Sequence, residues 1–93
     1  MALRFEWDSR KAAANAAKHG VSFTEALTAF ADPWSATVPD AGHSKGEARF
    51  LLMGLTHRNR LVVVAHTERG NRIRLISARL ATRRERIAYE EDQ

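Results

Sequence analysis

At 93 residues, with 44% hydrophobic and 28% charged side chains, the chain is sized for a single domain over residues 1–93. It has no cysteine, no long apolar run and no apolar N-terminal h-region. That excludes a disulfide-stapled secreted scaffold and a membrane-spanning helix, and a cytoplasmic protein is expected. The net charge is +4, and from Arg49 to Arg86 every basic residue except the histidines is arginine, opposed only by Glu68 and Glu85. Guanidinium groups are planar forks that match phosphate, so this clustering is the footprint of a phosphate-binding surface.

In chain order, "LRFEWD" alternates Leu3, Phe5 and Trp7 with Arg4, Glu6 and Asp8, the pattern of a half-buried strand. Asp8 offers an N-cap oxygen to the alanine-rich "SRKAAANAAKH", and Gly20 stands where a helix would end. Lys18 and His19 fall in its last turn, where positive charge suits the helix dipole. Ser22 and Glu25 have capping-box spacing for a second helix. Phe23, Ala26, Leu27, Phe30 and Ala31 form its core-facing stripe, and "DPW" ends it.

A strand over residues 35–38 and the loop "PDAGHSKG" come next, then three strands: Glu47–Thr56, Leu61–Glu68 and Arg72–Arg79. "RN" and "GN" between them are read as two-residue hairpin turns. Thr82 and Glu85 form another capping box, opening a C-terminal helix with a thin apolar stripe. The order β-α-α-β-β-β-β-α predicts an α+β fold. It is a mainly antiparallel sheet with two N-terminal helices on one face and a helix at the C-terminus.

With two-residue turns, alternation places Glu47, Arg49, His66, Glu68, Ser77 and Arg79 on one face. Phe50, Leu52, Val63 and Ile76 fall on the other, under the helices, with Arg69, Arg72 and Arg74 toward the Gly-Asn turn. "RIRLISAR" is thereby split, Arg72 and Arg74 on one side and Arg79 on the other. "HSKGEAR" sets an imidazole, His43, beside Glu47 and Arg49, an acid/base group next to a phosphate clamp. "HTERG" and "SAR" add Glu68, Arg69, Ser77 and Arg79. There is no Gly-rich phosphate loop, no G-x-S-x-G and no metal-ligand spacing, so neither cofactor nor metal is expected.

"FEWDSRKAAANAAKHGVSFTEALTAFADP", "HSKGEARFLLMGL" and "RLVVVAHTERGNRIRLISARLATRRERIAYE" together resemble the BrnT family of toxins from type II toxin–antitoxin systems. The resemblance runs from Phe5 to Tyr89 and implies a RelE-like fold and a ribonuclease that slows growth by cutting RNA. It also implies a cognate BrnA-like antitoxin with a ribbon-helix-helix DNA-binding part, whose complex with the toxin represses their operon. The matching motif covers Lys18, His19, His43, Glu47, Arg49, Glu68, Arg69, Ser77, Arg79 and Tyr89. Metal-free RNA cleavage needs a base near the ribose 2′-hydroxyl and positive charge on the scissile phosphate. Arg49 and Arg79 are the expected clamp, His43 or Glu68 the base, and Glu47 the orienting group. Arg69, Arg72 and Arg74 would guide RNA by charge, with Lys18, His19, Ser77 and Tyr89 as further contacts. The competing class is a non-catalytic module that binds nucleic acid or a protein partner without cleavage.

Overall fold

In the computed structural model, which describes residues 3–43 and 46–92, Asp8 sets where the first strand stops and the first helix begins. Strand β1 (Arg4–Glu6) precedes it, and its carboxylate accepts from the backbone N–H groups of Arg10 (2.9 Å) and Lys11 (3.0 Å) to open α1 (Ser9–His19). Gly20, at φ 69°, closes α1 in the left-handed conformation that a residue without Cβ adopts freely. Ser22 caps α2 (Phe23–Ala26), accepting from the Glu25 N–H, but the expected return arm of the box is absent. The Glu25 carboxylate turns inward instead, accepting from Arg60 (2.6 and 2.9 Å) and from the Thr56 hydroxyl (2.7 Å). The predicted long second helix is therefore one α-turn followed by a 3₁₀ segment, Leu27–Ala31. The complete capping box belongs to α3 (Arg83–Glu91), between Thr82 and Glu85.

Strands β2 (Ala36–Pro39), β3 (Phe50–Leu55), β4 (Leu61–Arg69) and β5 (Arg72–Leu80) complete a five-stranded sheet in the order β1-β5-β4-β3-β2. The sheet is mixed: β1 runs parallel to β5, while the β2–β3, β3–β4 and β4–β5 pairings are antiparallel. Among the described residues no helix is long and apolar enough to cross a membrane.

Two features move side chains away from their expected faces. The β3–β4 loop spans three residues, His57 to Asn59, with Thr56 N–H bonded to Arg60 O and Asn59 at φ 61°. The pairing is therefore Leu55↔Leu61 and Phe50↔His66, one residue off the two-residue register, and every β4 side chain changes face. The β4–β5 turn has two residues as predicted, with Arg69↔Arg72, but the ladder then skips Ile76: His66 pairs with Leu75 and Ala65 with Ser77. This β-bulge reverses the alternation within β5. Arg72, Arg74, Ser77 and Arg79 consequently share the face turned away from the helices, and "RIRLISAR" is not split.

The helix-covered face holds Leu52, Val62, Val64, Ile73, Leu75 and Ala78 against Val21, Phe23, Ala26 and Ala29. Each fully buried valine or leucine stabilises the fold by about 1.5–3 kcal/mol. Gly54 lets the 3₁₀ segment approach the sheet closely, since a Cβ there would lie 2.8 Å from the Ala29 carbonyl oxygen. Asn15 of α1 is buried against β5: its amide donates to Ala78 O (2.9 Å) and Val21 O (3.0 Å) and accepts from Ala78 N–H (3.0 Å). β1 pairs with β5 only as far as Arg74, so Asn15 satisfies the strand edge beyond it.

Asn15→Ala strands three backbone groups, and a loss of about 2–4 kcal/mol in urea unfolding is expected; wild-type stability would contradict this role. The Arg60 guanidinium holds the Glu25 carboxyl down to about 2 against the opposing effect of burial, and Thr56 assists. Because the folded value lies below the usual 4.5, this contribution is complete above pH 4.5 and lost as pH falls toward 2. Urea midpoints measured from pH 6 to pH 2 should fall through that window, and Glu25→Gln should flatten the fall.

Candidate functional site

The open face of the sheet divides into a basic half and an apolar half. The basic half is a cavity of about 520 Å³ lined by Lys11, His43, Glu47, Arg49, Thr67, Arg69, Arg74 and Ile76. Each element delivers its part for a local reason. The three-residue loop turns Thr67 and Arg69 onto this face, the regular pairing Thr67↔Arg74 brings Arg74 with them, and the capped start of α1 brings Lys11 to the rim. The short 3₁₀ turn Ala41–His43 carries His43, whose Nδ1 lies 3.1 Å from Asp40 Oδ1 while 70% of the side chain stays exposed. Ser44 and Lys45 of "HSKGEAR" lie outside the described residues.

Four cations face one carboxylate among these lining residues, so the cavity carries net positive charge. Glu47 makes a two-pronged pair with Arg69, whose guanidinium holds the Glu47 carboxyl below the usual carboxylate range and is itself held more firmly protonated. A carboxylate so stabilised is a weak base, which suits Glu47 to orientation rather than proton transfer. Glu6 of β1 lies 3.3 Å from Arg74 and 3.8 Å from Arg72, placed there by the parallel register Glu6↔Arg74.

The sequence-predicted residues separate into two groups. His43, Glu47, Arg49, Arg69 and Arg74 come together, and Arg72 stands beside them on the same face. Glu68 is on the opposite face, where it meets the Nε2 of His66 at 3.0 Å. His66 has no exposed surface; Phe30 packs edge-on at 4.9 Å and Phe50 stacks at 5.9 Å, so it is a core residue. Arg79 shares the open face but lines no part of the basic cavity. Glu85 of α3 accepts from both of its terminal nitrogens (2.8 and 3.0 Å), and the Glu85 carboxyl is held down to about 2, chiefly by that contact.

Ser77 lies across from Ala65 and does not line the cavity. Lys18 and His19 sit at the C-terminal end of α1, beside Gly20, whose carbonyl oxygen accepts from Arg60 at the β3–β4 hairpin. Tyr89 is buried and donates to Asp32, tying the last turn of α3 to the body of the fold. Sequence pattern marks neither Lys11 nor Thr67 as a site residue, although Thr67 stands within "HTERG". Lys11 did leave a signal: a cation in the first turn of a helix opposes the dipole, and α1 has no acidic residue there.

The apolar half is a smaller hollow of about 140 Å³ lined by Ala36, Val38, Leu51, Met53 and Val63, with Glu85 at its edge.

The family model described as "Ribonuclease toxin, BrnT, of type II toxin-antitoxin system" matches residues 7–85. This chain belongs to the BrnT family. The match spans every lining residue of the basic cavity. Among solved structures, the crystal structure of the Brucella abortus ribonuclease toxin, BrnT, resembles this BrnT chain with a TM-score of 0.67 at 23% identity. It covers 87% of this chain and 99% of that one. At that identity the likeness is one of fold. No curated protein matches the chain.

Proposed function

We propose that this BrnT-family toxin is a metal-independent endoribonuclease whose reaction centre is the basic cavity on the open face of the sheet. The observation that carries the reading is the meeting of His43 with Arg49, Arg69, Arg74 and Lys11 in one solvent-open cavity. Guanidinium groups supply fixed positive charge where a phosphodiester gathers negative charge, the electrostatic part of RNA cleavage. With Nδ1–H donated to Asp40, the imidazole of His43 presents Nε2 as the proton acceptor. Nε2 takes the proton of the ribose 2′-hydroxyl as its oxygen bonds to phosphorus. The bond from phosphorus to the 5′ oxygen then breaks, leaving a 2′,3′-cyclic phosphate and a 5′-hydroxyl that takes its proton from solvent. Arg49 and Arg74 hold the non-bridging oxygens, and Glu47 keeps Arg69 in place beside them.

Of the two bases left open by the sequence, His43 is the better supported, because Glu68 stands behind the sheet from the cavity. Arg79, engaged by Glu85, is assigned here to holding α3 rather than to the clamp. The lineage we infer is RelE-like. The partner we infer is a BrnA-like antitoxin whose ribbon-helix-helix part carries operator binding, with the complex and its RNA substrate in the cytoplasm.

The purified protein is expected to degrade RNA in EDTA and to lose activity steeply with added salt. His43→Ala should lower cleavage by about 10²–10⁴-fold, and Arg49→Ala with Arg74→Ala should abolish it, while Glu68→Ala stays near wild type. Full activity in His43→Ala, or RNA bound but left intact by the unaltered protein, would overturn the assignment; the second result would identify a binding module.

A further inference from the structure

Among the described residues, one buried side-chain polar atom has no hydrogen-bond partner: the hydroxyl oxygen of Thr67. Thr67 is 3% exposed and lines the basic cavity. An orphaned buried hydroxyl destabilises a fold, and valine has the same branched shape without that defect. The strand has valine at 62, 63 and 64, so the sheet accepts it readily. The hydroxyl therefore needs a reason outside the folded chain.

The chemistry of its surroundings supplies one. Arg74 is its cross-strand partner, Arg69 follows two residues along the same face, and Arg49 lines the same cavity. Guanidinium groups are donors only, and the Glu47 carboxylate in the cavity is already engaged by Arg69. What the cluster lacks is a group with several acceptor oxygens. We infer that Thr67 is a substrate-binding residue, its hydroxyl donating to a non-bridging oxygen of the RNA phosphate held by Arg49 and Arg74.

The hydroxyl oxygen is buried in the cavity wall, and phosphate reaches it as the Arg74 side chain shifts. The Arg74–Glu6 contact is long, at 3.3 Å, and both partners are partly exposed, so Arg74 can exchange carboxylate for phosphate at small cost. The inference deepens the nuclease reading and rests on it for the identity of the anion.

The test uses a 2′-O-methyl RNA oligonucleotide, which has no 2′-hydroxyl to attack, so binding is read apart from cleavage. A hydrogen bond to a charged group predicts that Thr67→Val binds it about 10-fold or more weakly by fluorescence anisotropy. The same variant should melt about 4–8 °C higher, because the orphaned hydroxyl is gone. Thr67→Ser should restore binding. Unchanged affinity in Thr67→Val overturns the inference. So does weaker binding with a lower melting temperature, which would assign the hydroxyl to the fold, and so does failure of the serine variant to restore affinity. RNA that is bound through Thr67 but never cut would overturn the nuclease reading and leave this site standing.

Discussion

One extra residue in β5 decides which chemistry the sheet can present. Because Ile76 is skipped by the ladder, the two halves of the strand are out of phase, and Arg74 and Arg79 emerge on the same side. Apolar Ile73, Leu75 and Ala78 all turn to the core for the same reason. Asn15 holds the strand on the far side of the bulge by pairing both backbone groups of Ala78. Remove the offset and either Arg74 or Arg79 must enter the core, where an unpaired charge costs several kcal/mol. The core and the basic surface both depend on this irregularity together with the three-residue β3–β4 loop.

The charges on that surface are not left bare. Arg69 is matched by Glu47, Arg72 and Arg74 by Glu6, and Arg79 by Glu85. The first two sets are partly exposed, where ion pairs are worth little and exchange readily. A polyanion that supplies phosphate oxygens in place of carboxylates therefore meets a surface that is already organised. The Arg79–Glu85 pair differs, since Glu85 also closes the capping box of α3 and accepts from the Thr82 N–H. Loss of that pair would loosen a helix whose other anchor is Tyr89 on Asp32.

The open face thus has two neighbouring characters, a basic cavity and an apolar hollow between β2, β3 and β4. They meet at the start of β3, where Arg49, just before the strand, lines one and Leu51 the other. The chain belongs to a family described as a ribonuclease toxin, and the first half is the reaction centre proposed for it.

Much of this was legible in the sequence. Caps at Asp8, Ser22 and Thr82, the glycine at position 20 and the alternation of the strands are local signals, and the structure follows them. The grouping of His43, Glu47 and Arg49 was also legible, since all three stand in the one short motif "HSKGEAR". What the sequence could not decide was which face each strand turns to the helices. That depends on a third loop residue at Asn59 and a skipped residue at Ile76, and each shifts a register by one. Neither is marked by composition: "RN" resembles a short turn, and "LIS" is an unbroken β run. Glu68 was expected at the site and stands behind it, while Thr67, its neighbour, stands within it. The sequence determined the elements, the positive charge and the family, because these reside in local pattern and residue type. Tertiary structure alone decided which side chains meet, because a period of two converts one residue of slip into the opposite face of the sheet.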